Sequence, residues 1–470
     1  HRDLHSFPTR RSSDLSPKYN KISINGIAIP STDYNNRSSD LSMITSENLA
    51  SIEVFKALTP DMEADAIGGS VNLQLAKAKP EDEQQIRLYG AYNEQARDPR
   101  QYKTFARISR RLLQNALGVQ ASINSELRNR SSDQLSASYV LGQPKTDGTV
   151  PLRLTDVSLL DREEYRQRYG GSLILDCDIA RWSVMLTNFY SRTNRDIRNR
   201  QVSYAQGTNG LTSSISNPDE AIDLLSNILT AKTILLGIET DMTVSHSNSQ
   251  ANFLNNENLD FLQERASLPI VDYQTVNPAD LMIRAIPDST GTMREAGISS
   301  RRTSERNYVA SINFKIPYHL GKKLSGELKL GGRFRSNSRQ NNSEGGEWWV
   351  YLYMKKYPIA DFLDNDYDPH NFLDGKSSIG LILDPTLTHS FYKANAGNYG
   401  INPFDASTQY ETKDRIGAGY LMTKLMLGQT FTFIPGVRYE TFDGDYLSYV
   451  RLSTGHGTGY YMPRETSIHQ

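Results

Sequence analysis

The chain has a single cysteine in 470 residues, Cys177, so no disulfide framework can form within it. That thiol lies between Asp176 and Asp178, with no histidine or lysine beside it to mark it as a nucleophile. Neither sign of charge prevails. There are 52 basic and 53 acidic residues, for a net charge of −1, so there is no basic footprint for nucleic acid and no acidic tail. No apolar run is long enough for a membrane helix, which leaves a membrane barrel open because barrel strands are apolar on one face only. P-loop, zinc-spaced Cys/His and nucleophile-elbow patterns are missing, so the expectation is of a protein without cofactor or catalytic set. The first residues, HRDLHSFPTRRSSDL, lack the apolar core of a signal peptide. The pentapeptide RSSDL occurs at 11–15 and again at 37–41, with no wider repeat. The first copy reads as adaptor-derived, so residues 1–15 are set aside as non-native.

What is present is period two. In Tyr308–Ile316 the even positions are apolar and most odd positions are polar. In Lys323–Arg335 every charge is on an odd position, and in TFTFIPGVRYET Phe431, Phe433, Val437 and Tyr439 share one face. A lipid-facing lysine or arginine near the midplane costs about 2–4 kcal/mol, a cost avoided if the charged parity lines a wet lumen. Short turns are expected at Leu113–Asn115, Asp178–Arg181, Tyr318–Lys322 and Gly428–Gln429. Long excursions are expected at 205–240, 249–303 and 337–411. Short turns on one rim and long loops on the other suit an outer-membrane barrel better than a soluble sandwich.

Ahead of these strands stands IEVFKALTPDMEADAIGGSVNLQLAK, residues 52 to 77: a strand-like run, a Thr59-Pro60-Asp61 turn, a double glycine and a second alternating run. With KYNKISINGIAIP and NRSSDLSMI before it, this order resembles the second half of the plug domain of TonB-dependent outer-membrane receptors. The resemblance implies an antiparallel transmembrane β-barrel, partial and of the roughly 22-stranded plugged type, behind a partial N-terminal α+β plug. It divides the chain into plug (16–80) and barrel (81–470). It makes Asn25-Gly26 a turn, Arg37 a basic position, Glu53 and Lys56 a charged pair, and Gly68, Gly69, Val71 and Asn72 the last plug turn and strand. The chain departs from the pattern at Ala57, where the family has glycine. The upstream half of the plug, the energy-coupling box, the signal peptide and the closing aromatic strand have no counterpart here, so a piece of a longer protein is expected.

By the same resemblance the function is import of a scarce ligand across the outer membrane, with an iron–siderophore complex as the default. The energy-transducing TonB complex is the partner, through a segment not in this chain, and membrane lipid, lipopolysaccharide and a small iron chelate are further partners. An oligosaccharide or peptide importer, a non-transporting sensor or adhesin, and a soluble hydrolase using Glu53 or Asp65 are the alternatives. Asp61, Glu63 and Asp65 form an acidic turn or a carboxylate set. Asp364-Asn365-Asp366-Tyr367-Asp368 begins like a calcium loop, but Pro369 and Gly375 stand where glycine and glutamate are needed, so no metal is expected. Trp348, Trp349, Tyr351 and Tyr353 are either an interfacial girdle or a ligand platform. Arg301, Arg302 and Arg306 are either a solvated rim or a lipopolysaccharide contact.

Overall fold

A computed structural model describes residues 20–33, 38–65, 69–94, 96–205, 210–264, 274, 276–280, 290–320, 324–348, 357–369, 371–398, 400–401, 408–427, 431–453 and 459–469. A small sheet comes first: β1 (Asn20–Ile24), β2 (Ile27–Ala28), β3 (Leu49–Phe55) and β4 (Gly69–Leu75), in the order β2-β1-β4-β3. β1 and β4 are parallel, and the other two pairings are antiparallel. Asn25 and Gly26 both have positive φ, the mirror-image turn that a two-residue hairpin requires, which explains the Asn-Gly pair.

After β4 the chain builds one large antiparallel sheet. Its strands are β5 (Glu83–Asn93), β6 (Asp98–Leu112), β7 (Leu117–Asn129), β8 (Ser132–Leu141), β9 (Leu152–Ile179), β10 (Trp182–Ala205), β11 (Gly210–Leu235), β12 (Ile238–Gln263), β13 (Thr292–Leu320) and β14 (Leu324–Trp348). It continues through β15 (Gly400–Ile401), β16 (Tyr410–Leu427), β17 (Phe431–Phe433), β18 (Gly436–Ser453) and β19 (Gly459–His469). Each long strand pairs with its sequence neighbour, as in an up-and-down barrel wall; β7 and β8 lie end to end along β9. The outer face carries a short apolar belt. Opposed across the ladder are Phe314, Leu330, Leu421 and Val437, and one step higher Ile312, Gly332, Gly419 and Tyr439. Phe334, Leu421, Phe431, Phe433 and Val437 are exposed, as the parity reading requires.

One expectation is corrected. Among the described residues, the excursions placed at 205–240 and 249–303 are mostly strand, namely β11, β12 and the start of β13, and β14 runs on to Trp348. The tight turn at Leu236–Gly237, with both φ positive, was hidden inside the first of them. These stretches are polar on their outer face above the belt (Gln250, Asn252, Arg302, Ser304), so the alternation that marks a half-buried strand is lost. The inner face is partly apolar where the small sheet meets it. Ile174, Phe189, Ile222, Leu224 and Ile228 point inward and pack on Ile22, Ile24, Met43, Leu73 and Leu75 of the small sheet in one buried core. Each fully buried side chain of this kind stabilises the contact by about 1.5–3 kcal/mol. The small sheet is therefore seated in the hollow of the large one.

Above it, the described part of the β14–β15 connection folds back onto the wall. Ile359, Phe362, Leu383 and Phe391 pack on Ile215, Leu259, Phe261 and Met293. Phe372, Ile379 and Ile382 pack on Leu159, Val202, Tyr204 and Leu211. Its helix α1 (Pro385–Asn395) starts at Asp384, whose Oδ1 accepts from Thr386 N at 2.6 Å, with proline at the first turn.

Candidate functional site at the seam between plug and wall

The site is the contact between the inner sheet and the barrel wall, and the turn after Pro60 supplies its charged half. Met62 N donates to Thr59 O at 2.9 Å, which closes a turn that projects Asp61, Glu63 and Asp65 toward the wall. Arg335 pairs with Glu63 through Nη1 and with Asp65 through Nη2, the latter at 3.2 Å. Arg333 Nη2 lies 2.9 Å from Glu63 Oε1, and Lys329 Nζ lies 3.4 Å from Asp61 Oδ2. Arg438 Nη1 donates to Pro60 O at 3.3 Å. Lys21, from β1, closes the cluster: its Nζ contacts Glu63 and lies 2.6 Å from Asp65 Oδ1. The acidic turn thus serves as an anchor to four basic wall residues, three on β14 and one on β18.

Burial sets the energetics. Loss of hydration, reinforced by the Arg335 and Arg333 charges, pulls the Lys21 ammonium down to about 7, against the attraction of Asp65. Burial pushes the Asp65 carboxyl up, but Lys21 and Arg335 outweigh it and hold the group down at about 2. Burial thus works against the charged form of Lys21, while the two basic neighbours of Asp65 hold it ionised.

Further contacts ring the plug. Asp40 Oδ2 lies 2.9 Å from Arg195 Nη2, and Glu47 Oε1 lies 2.5 Å from Lys103 Nζ. Ser122 Oγ donates to Asn48 Oδ1 at 2.8 Å, and Ser249 Oγ donates to Ser31 O at 2.6 Å. Beside Asp61, at the short-turn rim, a cavity of about 620 Å³ is lined by Arg181, Lys232, Glu239, Asp241 and Lys315.

The residues singled out by sequence fall into three groups. Asn25, Gly26, Asn72 and Glu53 meet in one hydrogen-bond set. Asn72 Oδ1 accepts from Gly26 N at 2.8 Å, Asn72 Nδ2 donates to Glu53 Oε2 at 2.9 Å, and Asn25 Oδ1 accepts from Leu75 N at 2.9 Å. Asn25 Nδ2 also donates to Thr187 Oγ1 on the wall at 3.3 Å. Val71 packs on the seat, and Gly69 (φ 122°) has no room for a Cβ, which would lie 2.8 Å from Phe55 O. Glu53 and Lys56 are exposed, and the hydrogen bonds of Glu53 stay within its own sheet. Arg37, Gly68, Trp349, Tyr351 and Tyr353 lie outside the described residues, as does the side chain of Trp348. Asp364 Oδ1 caps the backbone of Asp366 and Tyr367 at 3.0 Å, and no group of three metal-ligating side chains exists among the described residues. Lys21, Arg333, Arg335 and Glu63 form a unit that the sequence does not reveal. The acidic turn marks Glu63, the restriction of charge to odd positions in Lys323–Arg335 marks Arg333 and Arg335, and nothing marks Lys21.

An antiparallel wall around a seated inner sheet defines the class of fold, a plugged β-barrel. No family profile matches the chain, and no curated protein does. Among solved structures it is similar to the closed form of Fiu, the ferric-catecholate import receptor from E. coli, with a TM-score of 0.53 at 12% identity, covering 96% of this chain and 54% of that one. The chain thus spans about half the length of Fiu. BauA, the ferric preacinetobactin receptor of Acinetobacter baumannii, aligns at 12% identity over 95% of this chain and 70% of its own, with a TM-score of 0.32. FyuA, the ferric yersiniabactin uptake receptor of Yersinia pestis, aligns at 8% identity over 96% and 70%, with a TM-score of 0.37. These two overlaps carry no argument. The fold is that of the TonB-dependent receptors, as the plug residues of the sequence imply.

Proposed function

We propose that this chain belongs to an outer-membrane importer in which the inner sheet is a gate, displaced by force from the inner-membrane TonB motor, and that its cargo is an iron chelate. The observation that supports this reading is the seat itself. A plug held in the wall by a largely buried, non-covalent cluster (Lys21 and Glu63 against Arg333 and Arg335, with Asp65 at its exposed edge) can be released and reseated without chemistry. The cavity beside Asp61 gives the anchoring turn somewhere to move. The cargo class rests on analogy with Fiu, an import receptor for ferric catecholates.

The test is a tether. In the full-length protein with Cys177→Ser, cysteines at Asn48 and Ser122 place a disulfide between plug and wall, where the native side chains are hydrogen-bonded at 2.8 Å. Uptake of iron-55 as catecholate, hydroxamate and citrate chelates is then followed with and without reductant and protonophore. Uptake that stops on oxidation, returns on reduction and fails with protonophore is expected. Uptake that persists across the tether rules out a moving gate.

A further inference from the structure

We propose that the seam holds an oxyanion-binding site, distinct from the Glu63 cluster, in which a phosphate, sulfate or carboxylate group bridges the plug to the wall. A cavity of about 230 Å³ lies between the plug segment 42–46 and strands β6, β7 and β9, lined by Ser42, Thr45, Lys103, Asn124, Glu126 and Arg168. Arg168 is only 7% exposed, yet its Nε and Nη2 have no hydrogen-bond partner. Those two atoms form the side-on edge of a guanidinium, which fits two oxygens of one oxyanion. Across from it, Thr45 is 7% exposed, and its Oγ1 and the Oγ of Ser42 are also without partners. The unmet groups are therefore two N–H donors of the wall and two hydroxyls of the plug.

The donor set favours an oxyanion over water. The carboxylate that lines the cavity, Glu126, is shared at 3.8 Å by Arg168 Nη1 and at 3.9 Å by Arg128 Nε, both too long for a hydrogen bond. Lys103 is occupied by Glu47. Arg130, Arg166 and Arg195 lie around the same patch, with Glu126 and Asp40 as the acidic groups beside Arg168 and Asp40 already paired to Arg195, and Arg166 Nε is itself buried without a partner. Water would satisfy the donors singly but would not join the N–H edge of the wall to the hydroxyls of the plug in one charge-assisted contact. An oxyanion does both and ties Ser42 and Thr45 to the wall.

The test needs no transport and so stands apart from the importer reading. Crystals of the full-length protein are soaked in selenate, and sodium phosphate is titrated into detergent-solubilised protein against sodium chloride of equal ionic strength. The expected result is an anomalous selenium peak at the Arg168 edge and phosphate affinity at least tenfold weaker in Arg168→Gln, in line with loss of hydrogen bonds to a charged group. Should Arg168→Gln not fold, Thr45→Val gives the reading, with about tenfold weaker phosphate binding. Selenate displaced by equimolar acetate supports a carboxylate-bearing occupant, and selenate retained supports free phosphate or sulfate. A cavity holding only water under selenate, or phosphate binding unchanged in these variants, overturns the site.

Discussion

Glu63 of the plug and Arg335 of the wall, 272 positions apart in sequence, form an ion pair whose side chains are only 10% and 12% exposed. Breaking such a pair from one side is costly, because the partner remains buried and charged. The loss is about 3–5 kcal/mol, more than the pair contributes over an apolar replacement.

Glu63→Gln in the full-length protein is therefore expected to unseat the plug, leaving Lys21, Arg333 and Arg335 without their shared carboxylate. Cells should become sensitive to bulky antibiotics, and the amides of β1 and β4 should exchange faster. Glu53→Ala should leave permeability unchanged, since the hydrogen bonds of Glu53 stay within its sheet. Equal antibiotic sensitivity in the two variants would remove Glu63 from the lock.

Lys21 gives a pH dependence of definite sign. Its pKa in the folded protein, about 7, is below the 10.5 of an ordinary lysine. Between those values the unfolded state binds more protons than the folded one, so the Lys21 contribution to stability rises as pH increases from 7 to 10.5. Asp65, held at about 2, is stabilising above its unfolded value near 4, and that contribution is lost as pH falls toward 2. Denaturant titrations at pH 7 and pH 9.5 should show the difference shrink in Lys21→Met; an unchanged difference would mean Lys21 does not titrate there.

Spin labels at Leu330 and Lys329 test the two faces of β14. Lys329 reaches the plug through Asp61, whereas Leu330 is opposed to Phe314 and Leu421 in the outer belt. The Leu330 label should be relaxed by oxygen and the Lys329 label by a water-soluble nickel chelate. The same response at both sites would cancel the wall assignment.

Gly69→Ala should destabilise the plug by about 1–3 kcal/mol, because φ of 122° is open to glycine alone and the new methyl meets Phe55 O. Thermal unfolding of the full-length protein reads the loss. A neutral result would mean that the β3–β4 approach is looser than described.

The sequence made the belt strands and the plug motif legible because each carries a local rule. Charge on one parity marks Lys323–Arg335, and Asn25-Gly26 marks a hairpin. The upper halves of β11 and β12 obey no such rule, since water meets their outer face and the plug or the folded-back segment meets the inner. The anchor was hidden for another reason. Asp61, Glu63 and Asp65 can be recognised as an acidic turn, but their partners at Lys21, Arg333 and Arg335 arrive only by tertiary contact. Glu53 drew attention through its place in a motif, and its work is to brace Asn72.

Strand length has an outcome beyond the membrane. β13 runs for 29 residues, while its apolar outer stretch, Tyr308 to Ile316, is near the roughly 9–11 residues that lipid requires. At about 3.3 Å per residue and a tilt near 40°, the strand stands roughly 70 Å tall against a lipid band of about 25 Å. In an outer membrane most of β13, like its long neighbour β14, would stand outside the lipid band, its outside face of Arg302, Arg306, Gln340 and Asn342 turned to the surroundings. That face is what a bacteriophage or an antibody would meet first. Substitutions there leave the seat of the plug untouched, so that face is free to change its outward appearance while the gate stays the same.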